Sequence, residues 1–285
     1  MFATLKTLFW VSRPISWVNT AYPFAAGLIM TGTGLTAPLI IGTIFFLIPY
    51  NVLMYGINDV FDYESDIRNP RKGGIEGAVA SRTHHPAIIW GSTLLCLPFL
   101  GYLFTLGSNS AKLWLAFLMF MVLAYSAPYL RFKERPVLDS VTSSIHFVGP
   151  LIYALLLAGF PASAWPAVVA FFAWGMASHA FGAVQDIQAD RAGGIASIAT
   201  VFGARRTILL VTALYAAAAT LVASYSLLGI LVAAAVVPYV INAWRFRRLT
   251  DTTSNQANAG WRRFLWLNWI AGFVVTIALI LEKLS

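Results

Sequence analysis

Nine stretches of the chain are almost purely apolar, and its polar residues gather in the segments between them. The stretches fall at 15–30, 38–57, 86–106, 113–127, 141–160, 164–184, 208–223, 227–243 and 264–281. Several run near the ~20 residues that a helix needs to cross a bilayer, while the fourth and seventh look short. The pattern predicts an all-α polytopic membrane protein, a bundle of about nine transmembrane helices. It contains no low-complexity tract or extramembrane domain, so residues 1–285 read as one domain. The longest connections, 58–85 and 185–207, are long enough to expect function in them.

Composition strengthens this reading. Hydrophobic residues make up 59% of the chain and charged residues 11%, against roughly 25% charged in an ordinary soluble domain. The apolar segments must therefore face lipid or one another. The segment before the first stretch lacks a small-residue cleavage site, so that stretch reads as structure and not as a signal peptide. The lone cysteine, Cys96, falls inside the third stretch, where packing is the expected role.

The cations set an orientation. With nine spans and a cytoplasmic amino terminus, all Lys and Arg except Lys112 and Lys283 fall on the cytoplasmic side, seventeen of the nineteen. That is a strong positive-inside bias, and removing one span would scramble it. It predicts a multi-pass protein of the cytoplasmic membrane. The net charge of +8 then reflects topology and attraction to anionic membrane lipid, and needs no nucleic acid.

Six of the eleven acidic residues sit in two clusters at the ends of apolar stretches. The first is Asn58-Asp59-Val60-Phe61-Asp62-Tyr63-Glu64-Ser65-Asp66 and the second Asp186-Ile187-Gln188-Ala189-Asp190. A carboxylate at the centre of a membrane helix costs about 2.5–3.5 kcal/mol, and neighbouring carboxylates repel, so a cation is expected to hold them. On a helix, Asn58, Asp62 and Asp66 share one face with Asp59 close by, and Asp186 and Asp190 pair in the same way. Hard oxygen ligands of this kind suit Mg²⁺ shared with substrate phosphates. No nearby cysteine or HExxH-like spacing points to zinc. The plain alternative is a cytoplasmic loop that happens to be acidic.

Cations follow the carboxylates. Arg68, Arg71 and Lys72 come after the first cluster and Arg191 abuts the second, and each cluster is followed by Gly-Gly-Ile, at 73–75 and 193–195. A third segment, Tyr125-Ser126-Ala127-Pro128-Tyr129-Leu130-Arg131-Phe132-Lys133, adds two more cations. Arg68, Lys72, Arg131 and Lys133 are candidates for binding a diphosphate. The positive-inside bias alone would also explain them.

Asn-Asp-x-x-Asp-x-x-x-Asp at 58–66, Asp-x-x-x-Asp at 186–190 and the Tyr-Ser-x-Pro…Lys segment at 125–133 resemble the UbiA family of intramembrane prenyltransferases. The resemblance covers essentially the whole chain. It implies a nine-helix bundle with a cytoplasmic-side active-site cavity, where Mg²⁺ bridges aspartates to an isoprenyl diphosphate. Carried over by position, Asn58, Asp59, Asp62 and Asp66 form one metal cluster, and Asp186 and Asp190 the other. Lys133 would bind diphosphate, with Arg13 and Asn19 lining the polar end. Within that family, the segments at 12–24, 55–74 and 130–136 look like those of bacterial lycopene elongases. That narrower resemblance implies dimethylallyl diphosphate as donor, lycopene as the apolar acceptor and C45 or C50 carotenoids as products.

The chemistry expected of such parts is ionisation of an allylic diphosphate, helped by Mg²⁺ and cations. An electron-rich carbon then attacks in a site shielded from water. The final cation loses a proton or takes up water, and Tyr55, Tyr63, Tyr125, His146 and His179 are candidates for steering that step, though packing explains the two histidines better and no general base is assigned. Rival readings are an aromatic (quinone-precursor) or tetrapyrrole acceptor, and a membrane transporter. The Asp-x-x-Asp-Gly-x-x-Ala-Arg pattern of CDP-alcohol phosphotransferases is absent.

Overall fold

In the computed structural model, residues 2–67 and 79–284 are described. All the regular structure among them is helical. Apolar sequence in lipid leaves the backbone no outside hydrogen-bond partner, and a helix satisfies it internally. Eight helical stretches among the described residues are long and apolar enough to cross a membrane, so the chain is a multi-pass membrane protein.

The chain divides into two compact units, one of residues 1–132 and 146–161, the other of 133–145 and 162–285. The first unit holds α1 (Phe2–Val11), α2 (Val18–Met30), α3 (Ala37–Leu47), α4 (Pro49–Phe61), α5 (Tyr63–Asp66), α6 (His85–Leu103) and α7 (Asn109–Ser126). The helix α8 (Leu138–Leu157) gives its first residues to the second unit and the rest to the first. The second unit continues with α9 (Trp165–Val184), α10 (Ile187–Ala192), α11 (Ile198–Ala223), α12 (Leu227–Trp244) and α13 (Asn258–Leu284).

Three boundaries depart from the pattern of apolar positions. The first expected span, 15–30, is a 3₁₀ turn at Pro14–Ser16 followed by the thirteen-residue α2. Those thirteen residues rise only about 20 Å, which is why eight and not nine stretches reach crossing length. The second span is broken at Ile48, because Pro49 has no N–H to continue the ladder and disfavours helical backbone before it. Cys96, buried on α6, donates a weak hydrogen bond to the Pro49 carbonyl at 3.3 Å.

The third departure is α11, which starts ten residues before the expected 208. A capping box of Ser197 and Thr200 opens it, and it breaks at Gly203, whose φ of +77° favours glycine. The Asp251 carboxylate, accepting from Ala204 N at 2.7 Å, caps the helix that resumes there. Within the second unit α9, α11, α12 and α13 pack as successive neighbours around Phe181, Ile208, Tyr215, Tyr239 and Phe264. Gly175 on α9 lies so close to Ser144 that a Cβ there would collide with it.

Candidate active site

The first aspartate motif begins on α4 and crosses a slight break at Asp62 into α5. The i→i+4 ladder survives the break, since Asp62 N donates to Asn58 O and Asp66 N to Asp62 O, both at 2.9 Å. The expected shared face of Asn58, Asp62 and Asp66 is therefore nearly preserved. Asp59 and Asp66 are buried, and Asn58 and Asp62 half-buried.

Two arginines meet these carboxylates. Arg13 donates to Asp59 Oδ1 at 2.7 Å and lies over the Tyr55 ring at 4.3 Å. Burial is the largest influence and opposes the charge on Arg13, but the Asp59 carboxylate, Tyr55 and Asp66 together outweigh it, so the guanidinium is held above its ordinary pKa. Arg131 forms a longer ion pair with Asp62 at 3.8 Å. Both arginines have left-handed backbone, with φ of 51° for Arg13 and 39° for Arg131. Non-glycine residues pay for that conformation, and such strain tends to cluster where a side chain must be aimed. Asn58 is fixed as well: Ser126 Oγ donates to its Oδ1 at 3.0 Å. Nearby, Arg82 pairs with Glu64 and lies over Tyr63, whose ring meets His85 edge-on. Tyr125 and His146 also meet edge to face, 5.3 Å apart.

The second motif has the same backbone form. After α9 ends, Asp186 takes φ −95° and ψ −6° as the cap of α10, close to the φ −97° and ψ −3° of Asp62. Asp190 N donates to Asp186 O at 2.8 Å, so the pair is stacked as expected. The cation beside it is not aimed at the motif. Arg191 pairs with Asp251 at 2.7 Å and donates to Thr200 O, while the Gln188 amide donates to the carbonyls of Asp251 and Thr252. Asp251 thus pins α10 to the start of α11, 60 residues back along the chain from itself to Arg191.

Of the remaining expected residues, Asn19 lies half-buried in the first turn of α2 and Lys133 half-buried in a 3₁₀ turn, Phe132–Glu134. Arg68, Arg71, Lys72 and the first Gly-Gly-Ile lie outside the described residues. Two acids had no role in the sequence reading. Asp139, fully buried, accepts from Ser140 N at 2.7 Å and from Ile198 N at 2.8 Å. Asp251 is the other. Asp139 is a single acid just before an apolar stretch, and Asp251 is the one acid in the polar segment between two of them. Ser140 Oγ lies 3.1 Å from His179 Nδ1, so that histidine has a local polar partner.

Residues 20–269 match the UbiA prenyltransferase family. The chain belongs to that family. It is accordingly a prenyltransferase, built as a helical membrane protein. The lycopene elongase/hydratase of Corynebacterium glutamicum is 49% identical over 282 residues, 98% of each chain. The C(50) beta-cyclic carotenoids biosynthesis protein LbtBC of Dietzia sp. is 50% identical over 277 residues, 95% of this chain and 64% of that protein. A UbiA homolog from Archaeoglobus fulgidus, solved bound to DMAPP and Mg²⁺, has the same fold, with a TM-score of 0.65 at 18% identity over 94% of this chain and 99% of its own.

The first motif fits a hard cation. Asp59 Oδ2 is buried with no hydrogen-bond partner, an unfilled acceptor of the kind a cation would satisfy. Among the described residues no three His, Cys, Asp or Glu side chains converge into a closed cage. Mg²⁺ does not need one, because it keeps several waters and is held through one or two carboxylates together with substrate phosphates.

Proposed function

We propose that this UbiA-family prenyltransferase moves a C5 dimethylallyl group from its diphosphate to the end of lycopene, giving C45 and C50 carotenoids. The geometric observation that carries the prenyl-transfer part is the Asp59 carboxylate, with one oxygen on Arg13 and the other buried and unsatisfied. The acceptor rests on the relatives that share half their residues with this chain across nearly its full length. Residues 1–285 act as one catalytic domain in this reading. The bias of the cations toward one side supports a cytoplasmic-membrane protein with both motifs facing the cytoplasm.

Asn58, Asp59, Asp62, Asp66, Asp186 and Asp190 would hold Mg²⁺. Bound there, Mg²⁺ would neutralise the diphosphate and make it a better leaving group. The chain's own residues do the rest. Arg13 and Arg131 balance the first motif's carboxylates and stand ready for phosphate oxygens, with Lys133, Arg68 and Lys72 as further cations and Asn19 beside Arg13 in sequence order. Arginine suits this role because its planar fork matches phosphate oxygens. The C–O bond breaks, diphosphate leaves with the electron pair, and the terminal double bond of lycopene attacks the allylic cation. The new cation then loses a proton or takes up water. Apolar helices exclude stray water from the cation, and lycopene has no polar group to anchor, so it needs only an apolar path.

Expression in a host that makes lycopene and dimethylallyl diphosphate tests the reading. The expected pigments are heavier by C5 units with a nearly unchanged chromophore, since addition at the chain end leaves the polyene intact. Unchanged lycopene, together with prenylation of a benzoate or quinone precursor, would move the assignment to another acceptor class in the family.

A further inference from the structure

The break in α11 opens a groove of about 610 Å³ lined by Phe202, Gly203, Arg205, Arg206, Arg248, Leu249, Thr250 and Asp251. Three of these are arginines, all exposed, with no ion pair or hydrogen bond among the described residues. The one carboxylate in the groove is already engaged, since Asp251 pairs with Arg191 and caps Ala204. The positive-inside bias accounts for the sign of these charges. It does not account for their convergence, from the start of α11 and from just beyond α12, on one concave surface.

We propose that this groove binds the phosphate headgroup of an anionic membrane lipid. Guanidinium groups recognise phosphate oxygens in pairs of hydrogen bonds. The rest of the lining favours an amphiphile over a free anion: Phe202 is 39% exposed and the adjoining Val201 60%, apolar surface that acyl chains would cover. The groove is also far larger than inorganic phosphate requires. None of the three arginines belongs to either aspartate motif, so the site is separate from the proposed chemistry.

The test is native mass spectrometry of the protein in neutral detergent, titrated with phosphatidylglycerol, phosphatidylcholine or inorganic phosphate. Wild type is expected to retain phosphatidylglycerol in preference to phosphatidylcholine. The triple variant R205Q/R206Q/R248Q should bind it more weakly, by about fivefold for each arginine removed. A charge-matched triple, R245Q/R262Q/R263Q, should keep the preference. If the groove triple fails to fold, the single variants R206Q and R248Q carry the same comparison. Equal weakening in both triples, or no preference in wild type, would reduce the effect to general surface charge and overturn the proposal. Displacement of the lipid by an equal concentration of inorganic phosphate would overturn it in favour of a free-anion site.

Discussion

Asp62 and Asp186 hold nearly the same backbone angles, each at the point where a long helix gives way to a short one, and each accepts an i+4 backbone hydrogen bond from the next aspartate of its motif. Around that common form the two regions manage charge differently. The first motif is met directly by cations, Arg13 on Asp59 and Arg131 on Asp62, and each arginine is held in left-handed backbone. Beside the second motif, Arg191 turns to Asp251 and helps hold α10 in place. In the first region Arg13 and Arg131 stand against motif carboxylates, and in the second Arg191 ties α10 to Asp251.

The sharpest way to break this comparison is to remove a carboxylate from each side. Asp62→Ala and Asp186→Ala should each lower prenyl transfer from radiolabelled dimethylallyl diphosphate by at least about a hundredfold, the scale of losing one group that stabilises developing charge. Both variants should still insert in the membrane, because insertion is driven by the long apolar stretches and not by these two side chains. EDTA should silence the wild type and Mg²⁺ restore it. Full activity in either alanine variant would detach that motif from the chemistry.

The next effect is on stability and belongs to the first motif alone. Arg13→Gln leaves the Asp59 carboxylate, 1% exposed, without its partner. Removing one member of a buried pair costs about 3–5 kcal/mol. Arg13→Gln combined with Asp59→Asn should recover much of that stability while remaining inactive, which thermal unfolding and transfer assays would read in a double-mutant cycle. Additive losses would mean that the 2.7 Å pair is not coupled.

Asp251→Ala probes the other side. It removes the cap of the helix that resumes at Ala204 and frees Arg191. Loss of a cap costs about 1 kcal/mol, so the unfolding temperature should fall modestly. Activity should drop less than for Asp186→Ala, because the acidic pair remains and only its anchor is loosened. A fall as deep as that of Asp186→Ala would give Asp251 a direct part in the reaction.

Which features were legible beforehand follows from how far apart their causes lie in the chain. The spans were readable because burial in lipid demands long apolar runs, and both motifs because carboxylates are conspicuous in such runs. The stacking of Asp62 on Asn58 and of Asp190 on Asp186 is local helix geometry, and it was anticipated. The contact of Arg13 with Asp59 spans 46 residues, and that of Ser126 with Asn58 spans 68, so neither spacing signals it. The same holds for Arg191, whose neighbour in sequence is Asp190 and whose partner in space is Asp251. The broken first and second spans turn on Pro14 and Pro49, which interrupt helices without making the sequence any less apolar.

The smallest expected effect, that of Arg191→Gln, makes the finest cut when set beside Arg131→Gln. Arg131→Gln and Arg191→Gln remove the same charge from residues next to, or paired with, motif aspartates. The Arg191–Asp251 pair is exposed on both sides, at 46% and 37%. Exposed pairs of this kind contribute only about 0–1 kcal/mol, and the carbonyl bond to Thr200 is the remaining loss. Arg191→Gln should therefore shift unfolding little and leave the KM for dimethylallyl diphosphate within about twofold. Arg131 is less exposed, at 34%, and pairs with Asp62, itself 13% exposed, at a long 3.8 Å. Losing a charge-assisted bond of about 1.5–3 kcal/mol should raise that KM by about tenfold or more with stability nearly unchanged. If the two variants change KM alike, the arginines are equivalent and the contrast between one that faces a motif aspartate and one that faces Asp251 fails.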